Sequence, residues 1–190
     1  TALYRYYPLA SLNEVGGHPN HGALTLADFH RELEERQANW PRAMLTTATH
    51  DTKRGEDMRA RLSVLSEVPQ QWGDAIRLWH EMNAPVRQAI EGEETPTPNE
   101  EYLLYQTLVG TWPLEPQSRH AWQEYRQRIV SYFEKALREA KTHTSWLHPN
   151  QRHEAAVYHF IETILGEGNT SFVKSLHEFA KTVANAGFLN

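Results

Sequence analysis

Apolar residues recur every three to four positions along most of the chain, which is the period of an amphipathic helix. Local signals mark where these stretches begin and end: Thr25 and Asn99 are N-cap residues, Pro69 is tolerated in a first turn, Pro85 interrupts a helix, and Gly187 is typical of a C-cap. The pattern predicts seven helices, over residues 25–40, 56–66, 69–85, 100–110, 117–141, 149–165 and 170–187.

The stretches between the predicted helices differ from one another. Residues 43–49 (AMLTTAT) are short, apolar and threonine-rich, which favours a buried β-strand, and residues 50–55 form a polar turn after it. Residues 1–24 have no helical period, and we expect an extended segment packed on a neighbour. Residues 91–98 contain a glycine and two prolines, which indicates a loop. Taken alone, the chain is predicted to be mainly α, with at most one or two strands, of which the pattern predicts the one at residues 43–49.

Composition narrows the classes of function. The 190 residues include 19 Lys and Arg against 24 Asp and Glu, a net charge of −5, which argues against a general nucleic-acid binder. The chain has no cysteine, so disulfides, cysteine–zinc sites and thiol nucleophiles are excluded. No apolar run reaches the ~18 residues of a membrane span. We therefore expect a cytoplasmic protein that contacts neither membrane nor nucleic acid.

The dipeptide His50-Asp51 directly follows the predicted strand. In parallel α/β barrels, side chains at the C-terminal ends of strands carry the chemistry. A carboxylate beside an imidazole can hold sugar hydroxyls and stabilise a positively charged transition state. The alternative is structural: Asp51 would cap a helix and His50 would make an ordinary polar contact.

Two cations follow this dipeptide. Lys53 and Arg54 begin a run of alternating charges that extends to residue 61, which is typical of a solvated helix face. The functional alternative places both cations over a polar ligand. Asn13 and Glu14 precede a glycine pair, where they would serve either as caps or as ligand contacts.

The histidines and tryptophans are weaker candidates. His18 and His21 are three residues apart, and His143, His148 and His153 are five apart, and neither spacing predicts a metal site. No cofactor is predicted. Helical stripes predict core packing for three tryptophans, namely Trp72, Trp79 and Trp122. The other three lie at helix ends or in loops and are freer to meet a ligand: Trp40, Trp112 and Trp146.

Four groups of motifs, distributed over essentially the whole chain, resemble one family. They are residues 46–62 (TTATHDTKRGEDMRARL), residues 4–6 with 11–17 (YRY, SLNEVGG), residues 102–113 (YLLYQTLVGTWP), and residues 135–141 with 144–146 (KALREAK, TSW). On these motifs the chain resembles the maltooligosyl trehalose synthases of the α-amylase superfamily, glycoside hydrolase family 13. One departure is His18, where the family pattern has Asp.

The resemblance implies a catalytic (β/α)8 barrel in a larger parent enzyme. Residues 1–55 would be barrel-derived and include the seventh strand, whereas residues 56–190 would be a helical subdomain inserted before the last strand. Asp51 resembles the carboxylate that stabilises the transition state, and His50 the histidine that binds the sugar in the −1 subsite. Lys53 and Arg54 are expected substrate contacts because they adjoin Asp51. A strand without its barrel has two unpaired edges, so residues 1–55 are expected to be less ordered or rearranged in the isolated chain unless another copy covers them.

The activity implied is that of a (1→4)-α-D-glucan 1-α-D-glucosylmutase, which converts the reducing-end α-1,4 bond of a maltooligosaccharide to an α,α-1,1 bond. The nucleophile and the acid/base would lie upstream, so we expect this chain to be a fragment that is inactive alone. Its partners would be the maltooligosaccharide and the remainder of the parent. The alternatives are a non-catalytic helical module that binds glucan or packs on a domain, and an amylase-type hydrolase.

Overall fold

Seven α-helices make up most of the protein. The computed structural model describes residues 2–15, 24–115 and 117–190. The helices, α1 to α7, are Leu26–Asn39, Glu56–Val64, Pro69–Asn83, Pro98–Thr111, Arg119–Ala140, Gln151–Ile164 and Thr170–Gly187. Two short strands, β1 (Gln88–Ile90) and β2 (Glu93–Thr95), pair as an antiparallel hairpin. The expected fold class, mainly α with at most two strands, is confirmed. None of the described helices is long and apolar enough to cross a membrane.

Helix α4 lies at the centre of the helical body. Every residue from 103 to 110 is buried, so α4 has no solvated face over this stretch, and α2, α3 and α7 pack around it. Beside it, the fully buried ring of Trp79 contacts four other aromatic rings, those of Trp72, Tyr105, Phe172 and Phe179. The predicted core positions of Trp72 and Trp79 are confirmed.

Two glycines allow α2 to lie close against its neighbours. A Cβ atom on Gly110 of α4 would come within 2.7 Å of Met58 Cγ, and one on Gly187 of α7 within 2.9 Å of Arg61 Cα. The prediction that Gly187 is a C-cap was wrong: it is the last helical residue, and the cap is Phe188, with a right-handed φ of −63°. Gly187 is required there because the α2 backbone leaves no room for a side chain.

The β1–β2 hairpin overlaps the loop predicted at residues 91–98, which contains its turn and β2. Its two turn residues, Glu91 and Gly92, have φ values of +55° and +87°, as the favoured two-residue hairpin turn requires. Helix α4 then begins two residues earlier than predicted. Thr97, not Asn99, is the N-cap: its hydroxyl accepts from the Glu100 amide at 3.4 Å, and the Glu100 carboxylate accepts from the Thr97 amide at 2.8 Å.

Residues 43–49 do not form the predicted strand. They are almost entirely exposed, and Met44 is 99% exposed. A strand needs a neighbour to satisfy its backbone groups, and the only strands in the described residues pair with each other. The preceding helix α1 is capped by Thr25 as predicted, but none of its residues is buried, and its apolar residues Leu26 and Phe29 face solvent.

The N-terminal segment, residues 2–15, packs into the core of the helical body. It forms two short 3₁₀ turns rather than the extended run predicted, and it buries Tyr4, Tyr7 and Ala10. The fully buried amide of Gln106 in α4 holds it: Oε1 accepts from the Ala10 amide at 2.7 Å, and Nε2 donates to the Tyr7 carbonyl at 3.0 Å. The proposed domain boundary at residue 55 stays a prediction, but residues 2–15 share one core with the helices after it.

We predict that truncating a leucine of α4 destabilises the chain far more than the same change at the surface. Leu104 is 1% exposed and Leu147 is 86% exposed. Leu104→Ala should lower the free energy of unfolding by about 2–5 kcal/mol, through lost burial and the cavity left behind. Leu147→Ala should change it by less than about 0.5 kcal/mol. Urea denaturation followed by circular dichroism measures both, and equal losses would contradict this placement of the core.

Candidate functional site

The turn formed by residues 50–54, here the 50–54 turn, presents Asp51 to solvent. The Asp51 side chain is 53% exposed, and its Oδ1 lies 2.8 Å from Lys53 Nζ, which also donates to the Asp51 carbonyl at 3.1 Å. Threonines close the turn: Thr49 Oγ1 accepts from the Asp51 amide at 3.2 Å, and Thr52 Oγ1 accepts from the Thr49 amide at 2.7 Å. His50 is exposed beside them. The turn therefore displays a carboxylate, an ammonium and an imidazole together.

Asp51 is ionised at neutral pH and does not cap a helix. The hydrogen bond from Lys53, reinforced by its charge, lowers the pKa of Asp51, and the same hydrogen bond raises the pKa of Lys53. The N-cap of α2 is Gly55, which makes no side-chain cap bond. The capping alternative for Asp51 is therefore excluded, and its only side-chain partner in the described residues is Lys53.

Arg54 supports the turn from the inside. It is 5% exposed, and its guanidinium donates to the Asn13 carbonyl and to the Tyr132 hydroxyl, both at 3.3 Å. The prediction of a solvated face beginning at residue 53 was wrong at Arg54, because this side chain joins the turn to the N-terminal segment and to α5. Substrate contact by Arg54 stays a prediction.

Asn13 and Glu14 fasten two distant parts of the backbone. The buried Asn13 side chain donates to the carbonyls of Leu3, at 3.4 Å, and Tyr6. Both carboxylate oxygens of Glu14 lie 2.9 Å from the Lys53 amide nitrogen, across 39 positions of sequence. The sequence allowed either a capping role or a ligand contact for these two residues. In the structure both side chains are hydrogen-bonded to backbone groups.

A cleft of about 790 Å³ opens next to the 50–54 turn, between α2, α4 and α5. Lys53 and Arg54 line its near end, and Arg61 and Tyr132 line it further along. Trp112 also borders the cleft, but its ring is packed edge-on against Trp122 and only 3% exposed, so the expectation that it is free to meet a ligand was wrong. The other two, Trp40 and Trp146, are exposed, and ligand contact by them stays a prediction.

Two of the histidines stack on each other away from the turn. The rings of His143 and His153 lie 4.6 Å apart, and His153 Nε2 is 2.8 Å from Glu100 Oε1. Within residues 2–15, 24–115 and 117–190, no group of three or more His, Asp or Glu side chains is placed to hold a metal ion. His18 and His21 lie outside the described residues, so the departure from the family pattern at His18 stays without a structural account.

Curated relatives match most of the chain. Two proteins from Mycobacterium tuberculosis, strains CDC 1551 and H37Rv, carry maltooligosyl trehalose synthase as a provisional name. Each is 41% identical to this chain over 163 residues, which is 86% of this chain and 20% of the relative. The chain thus spans about a fifth of the length of the curated relatives it matches. No model of a known protein family matches it.

Solved structures show the same relationship at the level of the fold. A maltooligosyl trehalose synthase superposes on all of this chain, and on 24% of its own, with a TM-score of 0.84 and 30% identity. The enzyme from Arthrobacter ramosus superposes on 99% of this chain, and on 22% of its own, with a TM-score of 0.80 and 32% identity. The described fold is therefore that of one segment of these larger proteins.

We predict that removing the Lys53 charge raises the pKa of Asp51. Lys53→Met deletes the hydrogen bond and the nearby positive charge, so the pKa should return toward the ordinary Asp value of about 3.9. The carboxyl carbon shift of Asp51, followed by NMR through an acid titration, measures it. Lys181→Met, an exposed change on α7, is the matched control and should leave Asp51 unchanged. An unaltered Asp51 titration in Lys53→Met would contradict the pairing.

Proposed function

The chain is homologous to one segment of the maltooligosyl trehalose synthases, and we propose that it contributes part of the catalytic site of such an enzyme. The proposed reaction is that of a (1→4)-α-D-glucan 1-α-D-glucosylmutase. The glucose at the reducing end of a maltooligosaccharide leaves its α-1,4 bond and is rejoined through an α,α-1,1 bond within the same molecule. Both bonds are α, so the proposed course is a retaining double displacement.

The observation that carries this proposal is the exposed, ionised carboxylate of Asp51 in a segment homologous to these enzymes. The transition state of glycosyl transfer resembles an oxocarbenium ion, and a fixed negative charge beside it lowers its energy. Asp51 does not cap a helix, and its Oδ1 is paired with Lys53 Nζ at 2.8 Å. In the proposed site Asp51 stabilises the transition state. His50 binds the sugar in the −1 subsite, and Lys53 is a further substrate contact beside Asp51.

The proposed site is completed by the rest of a larger enzyme. We propose that the nucleophilic Asp and the acid/base Glu lie on two other strands of its barrel. Exposed apolar residues on α1 and in the segment after it support this proposal, because such a patch is typical of a surface that another part of a protein covers. Four of them are each more than two-thirds exposed: Leu26, Trp40, Met44 and Leu45. We propose that the barrel of the parent covers this surface and that residues 43–49 become its seventh strand there.

We predict that Asp51→Asn in the full-length enzyme abolishes formation of the α,α-1,1 bond. The amide keeps the shape of the side chain but removes its charge, and losses of 10²-fold or more in rate are expected when transition-state charge stabilisation is removed. Anomeric-proton NMR with maltopentaose follows the loss of reducing ends and the growth of the α,α-1,1 signal. Asp74→Asn, an exposed change on α3, is the matched control.

Each other outcome of this experiment selects an alternative. Growth of reducing ends in the unaltered enzyme would identify an amylase-type hydrolase. Full activity in Asp51→Asn would return the turn to a structural role and leave a non-catalytic helical module, which binds glucan or packs on a domain, as the better description of this chain.

We also predict that the purified 190-residue chain forms no trehalose-ended product. One stabilising carboxylate cannot perform a double displacement without a nucleophile and an acid/base. Incubation with maltopentaose, followed by the same NMR measurement, checks this directly. Product above the level of a heat-denatured sample would show that the catalytic groups lie within these residues.

A further inference from the structure

We propose that Glu14 is a positioning residue, whose carboxylate holds the backbone of Lys53 and thereby fixes the Asp51–Lys53 pair. This inference rests on the proposed function of Asp51. It adds a residue that lies 37 positions away from Asp51 in the sequence and whose hydrogen bonds to Lys53 are made to the main-chain amide.

The contact is a three-centre hydrogen bond from one amide to both oxygens of one carboxylate. Lys53 N lies 2.9 Å from Glu14 Oε1 and 2.9 Å from Glu14 Oε2. Glu14 Oε1 also accepts from the Val15 amide at 2.9 Å. Bonds between a charged acceptor and backbone amides are among the stronger hydrogen bonds in proteins. They restrain the Lys53 backbone, which sets where its ammonium meets Asp51.

Glu14 is attached to the helical body through the residue that precedes it. Its neighbour Asn13 is buried and bonded to two carbonyls of the N-terminal segment, and the Asn13 carbonyl accepts from Arg54. The same segment is bonded to Gln106 of α4 through Tyr7 and Ala10. Glu14 therefore presents a carboxylate whose position is set by the core rather than by the turn that it holds.

The charge state of Glu14 agrees with this role. Partial burial pushes the pKa of Glu14 upward, but hydrogen bonds from the backbone of Val15, Lys53 and Arg54, helped by the charge of Arg59, outweigh it and leave the pKa below its ordinary value. The interaction is thus fully present above the ordinary pKa of a glutamate and is lost as the pH falls through the lowered value.

Two variants of Glu14 separate its charge from its size. Glu14→Gln keeps one acceptor oxygen and removes the charge, while Glu14→Asp keeps the charge on a shorter side chain. The control is Glu67→Gln, an exposed change after α2. In the 190-residue chain, hydrogen exchange at the Lys53 amide should accelerate at least about tenfold in Glu14→Gln and less in Glu14→Asp. In the unaltered chain this protection should fall on acidification, and Glu14→Gln should remove that acid step.

In the full-length enzyme, Glu14→Gln should lower kcat about 10- to 100-fold with KM changed less than about twofold, because misplaced groups cost rate rather than binding. Glu14→Asp should recover part of kcat, and Glu67→Gln should match the unaltered enzyme. If Asp51→Asn abolishes activity while Glu14→Gln leaves both kcat and Lys53 exchange unchanged, the positioning role is overturned and the proposed function stands. If Asp51→Asn is fully active, the proposed function fails and the catalytic role of Glu14 fails with it.

Discussion

A buried amide side chain joins the N-terminal segment to the centre of the helical body. Gln106 lies in α4, surrounded by other helices, and both ends of its amide bond the backbone of residues 7 and 10. Burying an amide without hydrogen-bond partners would cost free energy of folding. Here the oxygen and the nitrogen of the Gln106 amide each bond a backbone group that would otherwise lack a partner. The segment is therefore held in one place, and Tyr7 and Ala10 fill the core beside it.

The candidate site depends on that attachment. Residues 13 and 14 extend from the bonded segment, and through them the fixed helical body reaches the Lys53 amide and the Arg54 guanidinium. The 50–54 turn thus keeps its shape although residues 43–49 before it are exposed and form no strand. The residues that hold the proposed catalytic carboxylate in place therefore lie within this chain. The exposed apolar surface of α1, in contrast, is proposed to be covered by the rest of the enzyme.

The sequence predicted the helices well because their apolar stripes and caps are local signals. Thr25, Pro69 and Pro85 mark ends that the structure confirms. The hairpin was missed because three-residue strands carry almost no pattern, and the strand at residues 43–49 was wrong because pairing depends on neighbours that a local pattern cannot supply. The polar side chains of Asn13 and Glu14 were visible in the sequence, but the bonds that these two residues make to Arg54 and Lys53 span 41 and 39 positions and follow only from the fold.

The most direct test of the account is a crystal structure of the full-length enzyme with a bound maltooligosaccharide. We expect Asp51 and His50 to contact the same sugar ring, Lys53 to stay paired with Asp51, and the Glu14 carboxylate to remain on the Lys53 amide. A sugar bound elsewhere, with the 50–54 turn remote from every ring, would contradict it.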